Sequence, residues 1–318
     1  LQQIVSNNDV DMIWGSFSSL LVTAGSAFAE QQGIPFLGVA FAYMAPHENN
    51  NYEWTYAPFP KSRDVAQGTK GLLNSLPEGD RPSNVGIWEL NSGWGAEMSD
   101  LWEQVLSDEG YNVAFRGTYS NGTQDFSSLI SQSQSADVEV VLGVPIPPDA
   151  ITAMKQMKSS GYSPEHVQFV RGTDPDAWWS ALGQDGAYAS GVPGWVPGLT
   201  GGGNDEMHQR YYEKYDVEQG SILPVMVGAS YNLAQVATKT VSVAGSTEAD
   251  ALRQALDSTE FETVIGTFTF DEFGMPTEGE LVGPVGQWWE AHHHLVYPES
   301  DGEQAMDFKY PTPPWSER

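Results

Sequence analysis

Cysteine is absent from the 318 residues. That excludes, within this sequence, a disulfide framework, a thiolate nucleophile, a zinc–thiolate site and an iron–sulfur cluster. Positive charge is scarce: 14 Lys and Arg stand against 42 Asp and Glu, a formal net charge of −28. A surface of that sign repels phosphates and anionic lipid, so nucleic acid is excluded as a partner. No apolar run reaches the ~18 residues that a membrane-spanning helix needs. The opening LQQIVSNNDVDMIWG has neither a basic n-region nor an apolar h-region, so no signal peptide is visible. A P-loop is missing, and no G-x-G-x-x-G follows an expected strand.

The acidic excess has two readings, a cation-binding surface or a solvated coat that keeps a protein soluble in concentrated salt. The acids are spread from Asp9 to Glu317 without long blocks, and Lys occurs only seven times, which favours the halophilic coat. Disorder is a poor reading, because the chain is 40% hydrophobic and 12% aromatic, ample for a core. Its length points to two domains or lobes.

Short apolar runs alternate with longer amphipathic ones. VDMIWG (10–15) predicts a strand, LLVTAGSAFAEQQG (20–33) a helix and IPFLGVA (34–40) a second strand, a βαβ unit with parallel strands. The alternation resumes with a strand at 84–90, a helix at 95–109 and a strand at YNVAFRGTY. It continues with a helix at DFSSLISQSQSA, a strand at 138–144, a helix opened by Pro147 and Pro148, and a strand at VQFVRG. PGLTGGGND (197–205) reads as a loop. Helices are expected near 204–216, 223–244 and 248–257, the last with a capping signal in Ser246, Thr247 and Glu248. TVIGTFTFDEFG and VGQWWEAHHHLVYP look like strands of a hairpin or meander. The fold class is α/β with doubly wound parallel sheets.

Open parallel sheets bind ligands beyond the carboxyl ends of their strands. That singles out 15–19, 39–42, 91–95, 143–147 and 172–174. GSFSS (15–19) sits between strand and helix, where unpaired N–H groups and serine hydroxyls suit a carboxylate, although an N-cap serine that only finishes the helix is the plainer reading. It lacks the final glycine of a nucleophile elbow. Among Trp94, Trp178, Trp179 and Trp195, core packing is the plainer reading, with Trp94 the exception because NSGWG is a glycine-flanked turn. His292 and His294 could share a strand face, but no carboxylate partner stands out, so no metal and no cofactor are expected. A glycosidase pair is not identifiable among 42 acids.

VDMIWGSFSSLLVTAGSAFAEQQGIPFLG, NSGWGAEMSDLWEQVLSDEGYNV, DFSSLISQSQSADVEVVLGV, PPDAITAMKQMKSSGY, FETVIGTFTFDEFG and YPTPPW occur in that order. Together they resemble the type I periplasmic binding proteins of branched-chain amino acid ABC transporters, the leucine/isoleucine/valine-binding group, in a haloarchaeal-type, N-terminally truncated form. The likeness runs over nearly the whole chain. It implies two doubly wound Rossmann-like lobes joined by a three-crossing hinge. Lobe 1 would comprise 1–63 and 198–266 and lack its first ~70 residues, a strand–helix–strand stretch; lobe 2 would comprise 64–197 and 267–318.

By the same resemblance, ligand contacts fall on Ser18, Ser19, Ala40 and Ala42 of lobe 1 and on Trp94, Ile146, Thr173 and Asp174 of lobe 2. Ala42 stands where the family often has a threonine, Ile146 where it usually has a tyrosine, and Thr173 or Asp174 near the acidic residue that meets the ligand's ammonium. These departures, with Trp94, point away from leucine, isoleucine and valine and towards a larger or flatter ligand. The implied function is an extracytoplasmic solute-binding protein without catalysis. It would deliver an amino-acid-like or carboxylate ligand to ABC permease subunits, anchored as a lipoprotein through the missing N-terminus. The alternatives are a ligand sensor of the same fold and, less favoured, a hydrolase.

Overall fold

The computed structural model describes residues 1–318. They form two units: Leu1–Asp64, Thr200–Gln219 and Val227–Val282 in the first, and Val65–Leu199, Gly220–Met226 and Gly283–Arg318 in the second. The sequence expectation placed the last lobe boundary at 266/267. The stretch to Val282 stays with the first unit because Phe270 packs on Tyr56, Phe261 and Phe268, at ring-centroid distances of 5.1–5.5 Å.

The first unit opens with α1 (Gln2–Asn7), β1 (Ile13–Trp14), α2 (Ser19–Gln32), β2 (Phe36–Leu37), α3 (Ala45–Asn50), β3 (Thr55–Tyr56) and the start of α4 (Ser62–Asn74). The βαβ reading holds: β1, β2 and β3 lie side by side and parallel. The strands are much shorter than the apolar runs predict, two residues each. Helix α2 begins where Ser18 accepts the Leu21 N–H (3.2 Å), and it ends where Gly33 takes a left-handed φ of 63° that a side chain would disfavour. Its inner face packs Val22 and Ala29 on Ile13, Phe36, Phe41 and Ala57. The Glu30 carboxylate accepts from Glu53 N, Trp54 N and Thr55 Oγ1 at 2.8–3.0 Å and so ties α2 to β3.

The second unit runs β4 (Asn84–Leu90), α5 (Gly93–Asp108), β5 (Asn112–Tyr119), α6 (Ser127–Ser135), β6 (Val140–Gly143), α7 (Pro147–Ser160), β7 (His166–Phe169), α8 (Ala177–Leu182) and β8 (Ser190–Gly191). The first unit then contributes α9 (Asn204–Tyr215), α10 (Val225–Ala244, its first residues counted in the second unit), α11 (Ala249–Ser258), β9 (Phe261–Thr263) and β10 (Gly266–Phe268). The chain finishes in the second unit with β11 (Val285–Trp289) and β12 (His292–Tyr297).

The seven-stranded sheet has the order β12-β11-β8-β7-β6-β4-β5. Its strands are parallel from β5 to β8, while β11 and β12 are antiparallel additions. All four residues of β6 are buried, as in a sheet covered on both faces. Around it, Trp88 stacks on Phe126 (5.9 Å) and donates to Ser133 Oγ (2.9 Å).

The late segments form hairpins, one of the two arrangements their sequence suggests: β9 and β10 make a separate two-stranded sheet in the first unit, and β11 and β12 extend the seven-stranded sheet of the second. The second hairpin turns on Glu290 and Ala291, both at positive φ (44° and 72°), the geometry that matches strand twist in a two-residue loop. One expectation needs correction: the capping signal before α11 is built differently, with Glu248 as the N-cap without a side-chain bond and its own N–H donating to Ser246 Oγ at 3.0 Å.

Candidate functional site

In the first unit, the loops that leave β1 and β2 emerge from the same end of adjacent parallel strands. They carry the expected residues Ser18, Ser19, Ala40 and Ala42. Ser18 is the cap of α2, and Ser19 is its first residue, half-buried. Ala40 and Ala42 are buried and offer methyl groups only. The loop after β2 is held by residues the sequence reading passed over. The fully buried Lys61 donates from Nζ to Phe41 O (2.7 Å), and its cation lies 5.4 Å from the centroid of the Phe41 ring. Ser62 donates through both N (2.9 Å) and Oγ (3.1 Å) to Ala42 O.

Asp64 accepts the Lys61 N–H at 2.7 Å. Burial nevertheless pushes its carboxyl up to about 6, against that hydrogen bond and the charges of Arg63 and Lys61. His47 is buried too. Burial first, and the charge of Lys61 second, hold it well below the ordinary imidazole range, so it stays neutral and donates from Nδ1 to Phe273 O at 2.9 Å.

In the second unit, the strand order reverses between β4 and β6: β4 is followed in the chain by β5 on one side, and β6 lies on the other. That switch point is where a doubly wound sheet opens a crevice at its carboxyl edge. Trp94 follows β4 and Ile146 follows β6, one on each side of it. Trp94 sits in the first turn of α5, whose cap is Ser92 Oγ accepting the Gly95 N–H (3.0 Å). A Cβ on Gly95 would lie 1.9 Å from Leu90 O, so only glycine lets α5 start this close to β4. Trp94 is not the exposed aromatic that a glycine-flanked turn predicts: only 9% of it is accessible. Ile146 is the N-cap residue of α7 and is exposed.

The chain leaving β7 brings Thr173 and Asp174 to the same edge. Thr173 is fully buried; its Oγ1 donates to Phe169 O (3.2 Å), and its carbonyl accepts the Trp288 indole N–H (2.8 Å). Its side chain is therefore spent on the fold. Asp174 is buried with no hydrogen-bond partner for Oδ1, and Oδ2 lies 3.9 Å from Arg171 Nε. Burial pushes this carboxyl up to about 6, opposed by the Arg171 charge.

Arg171 was not singled out from sequence, although it is one of only 14 basic residues. Its backbone takes φ 72°, uncommon for a long side chain, and its guanidinium stands 6.0 Å from the Trp94 ring centroid. Trp178 and Trp195 are fully buried, which is the core reading. Trp179 stacks on Trp288 (5.9 Å).

The histidine run alternates across β12, with His292 exposed and His293 buried against Trp288 (4.2 Å). No group of three or more His, Asp or Glu is arranged to hold a metal ion. No helix is long and apolar enough to cross a membrane.

The family model described as periplasmic binding protein matches residues 1–284. Leu/Ile/Val-binding protein homolog 7 of Brucella abortus (strain 2308) is 26% identical over 322 residues, covering 94% of this chain and 77% of that protein. Among solved structures, the leucine binding protein LivK from Thermotoga maritima shares the fold at a TM-score of 0.78, with 15% identity and coverage of 92% of this chain and 81% of that one. An ABC transporter solute binding protein from R. palustris, solved in complex with benzoate, shares it at 0.74, with 14% identity and coverage of 93% and 79%. The chain belongs to the type I periplasmic binding proteins, the family of the Leu/Ile/Val-binding protein homologues, a family of binding proteins and not of enzymes.

Proposed function

We propose that this chain is the solute-binding protein of an ABC importer, acting outside the cytoplasm and performing no chemistry of its own. It captures a small amino-acid-like or carboxylate ligand that both units grip, and ligand-driven closure presents the loaded form to the permease. Anchoring through a lipidated N-terminal segment belongs to the same reading. The observation that carries it is the pair of strand-end clusters, Ser18 and Ser19 at the start of α2 and Trp94 with Asp174 at the switch point of the larger sheet, within a chain of this family. Ala42 and Ile146 provide no side-chain hydroxyl, and a buried polar ligand group needs partners, which speaks against leucine, isoleucine and valine. Trp94 favours a larger or flatter ligand, and the benzoate-bound structural neighbour supports including aromatic acids.

A thermal-shift screen of amino acids, amides and aromatic acids in high salt tests this. Stabilisation by an aromatic acid is the expected result. Stabilisation by aliphatic amino acids alone would remove the flat-ligand part of the reading, and turnover of any bound compound would remove the non-enzymatic part. By isothermal titration, Ser19→Ala is expected to weaken ligand binding by about 1–3 kcal/mol, the cost of leaving a buried polar group unsatisfied.

A further inference from the structure

Seven arginines serve a chain with 42 acidic residues, and six of them meet an oxygen. Arg81 and Arg318 bond backbone carbonyls, Arg63 bonds a carbonyl and faces Asp271, and Arg116, Arg171 and Arg210 face carboxylates. Arg253 on α11 is the exception. Its guanidinium makes no hydrogen bond and no ion pair, and its Nε is buried without a partner. What holds it is the Trp54 ring, whose centroid lies 5.3 Å away.

An acid stands close by in the same helix. Asp257 is four residues on, on the same face of α11, the spacing at which opposite charges ordinarily pair. Here they do not. Asp257 Oδ1 instead accepts the Tyr56 hydroxyl at 2.5 Å. Burial first, and that bond second, push the hydroxyl well above its ordinary range, so it stays a donor. Trp54 and Tyr56 thus keep the cation and the anion of α11 apart.

Both charges line a cavity of about 260 Å³ that lies wholly in the first unit. Its wall includes the rings of Tyr56 and Phe270, 5.1 Å apart. The other charges around it are acidic. Asp271 is spent on Phe273 N, Met275 N and Arg63. Glu30, near Tyr56, is spent on Glu53 N, Trp54 N and Thr55 Oγ1. Glu53 and Glu272 line the cavity, exposed and unpaired. That rim repels a simple anion, and Arg253 repels a simple cation. A molecule with both signs answers both. Its carboxylate meets the guanidinium through charge-assisted hydrogen bonds, and its ammonium faces Asp257 and the aromatic rings.

We propose that this cavity is a second ligand site, for a small zwitterion, an amino or quaternary-ammonium carboxylate. Arg253 reads the carboxylate and Asp257 the ammonium. The site shares no residue with the strand-end clusters, so it stands or falls separately from solute capture there.

The test titrates four probes calorimetrically into the whole 318-residue chain: glycine betaine and glycine, choline without the carboxylate, and acetate without the ammonium. A zwitterion is expected to bind at least ~10-fold tighter than choline and acetate, the ratio for one charge-assisted contact. Arg253→Gln should lose at least tenfold of that affinity. Asp257→Asn, which keeps an acceptor for Tyr56, should lose severalfold. Choline or acetate binding as tightly as the zwitterions overturns the proposal without needing any variant. Binding of neither zwitterion overturns it too. Glycine binding that stays within twofold in Arg253→Gln, with no betaine binding, overturns this site and leaves solute capture at the strand ends standing. Zwitterion binding unchanged in Asp257→Asn overturns the assignment of the ammonium.

Discussion

The two units use the same α/β vocabulary with different degrees of closure. The second builds a sheet of seven strands and holds nine of the eleven tryptophans, at 88, 94, 102, 178, 179, 195, 288, 289 and 315. The first builds a sheet of three two-residue strands and carries two exposed apolar side chains close together in sequence: Trp14 on β1 is 53% accessible and Leu20 on α2 80%. Clustered exposed apolar groups mark contact or association surfaces. Stability and surface behaviour therefore depend on different units, and intrinsic fluorescence reports mainly on the second.

The largest effect is expected at Gly95. Gly95→Val drives a side chain into Leu90 O and should cost more than ~4 kcal/mol, the range of severe backbone and packing clashes. Tryptophan fluorescence during denaturation should show the second unit already unfolded in mild conditions. An unchanged midpoint would break the account of how α5 meets β4.

Next come the two buried carboxyls, both pushed up to about 6 and differing in their partners. A carboxyl raised from 3.8 holds its proton better folded than unfolded, so the associated stability is complete below about pH 4 and is lost as pH rises through about 6. Asp174→Asn should recover up to about 3 kcal/mol at pH 8 and nothing at pH 4, a shift of about two pKa units at 1.36 kcal/mol each. Urea titrations at the two pH values decide it. Asp64 differs because its Oδ2 holds the Lys61 N–H. Asp64→Ala should therefore destabilise by about 1 kcal/mol at pH 4, the worth of a helix-start hydrogen bond, and by less at pH 8, where removing the raised carboxyl offsets that loss.

Ser18→Ala should cost a similar ~1 kcal/mol through the lost cap of α2. The smallest effect on stability, within ~0.5 kcal/mol, is expected for the pair Trp14→Lys and Leu20→Lys, because exposed positions contribute little. Light scattering should nevertheless show less self-association of the 318-residue chain. Unchanged scattering would mean that the exposed Trp14 and Leu20 do not promote association.

Much of the larger unit was legible. NVGIWEL is β4 as read, because its apolar run is long and bounded by turn residues. Pro147 and Pro148 mark the start of α7, because proline loses nothing in a first helical turn. No element was read within residues 41–83, which hold α3, β3 and α4; β3 has two residues and leaves no periodicity. The equally short β8, a serine and a glycine, is recognisable only by its neighbours in the sheet.

At the site, Ser18 and Trp94 were visible as a helix-start serine and a glycine-flanked aromatic, and their places next to strand ends follow from the alternation. Burial was not visible. Trp94 is covered, and Thr173 is committed to Phe169. Arg171 was hidden because its left-handed φ and its approach to Trp94 are properties of the turn after β7, not of any residue pattern.

The central claim is the proposal that this chain captures a small carboxylate ligand, with Ser19 at the start of α2 among its contacts. Isothermal titration of benzoate into the unaltered chain and Ser19→Ala tests it most directly. The account predicts binding that the substitution weakens. Benzoate binding that survives Ser19→Ala unchanged would contradict it.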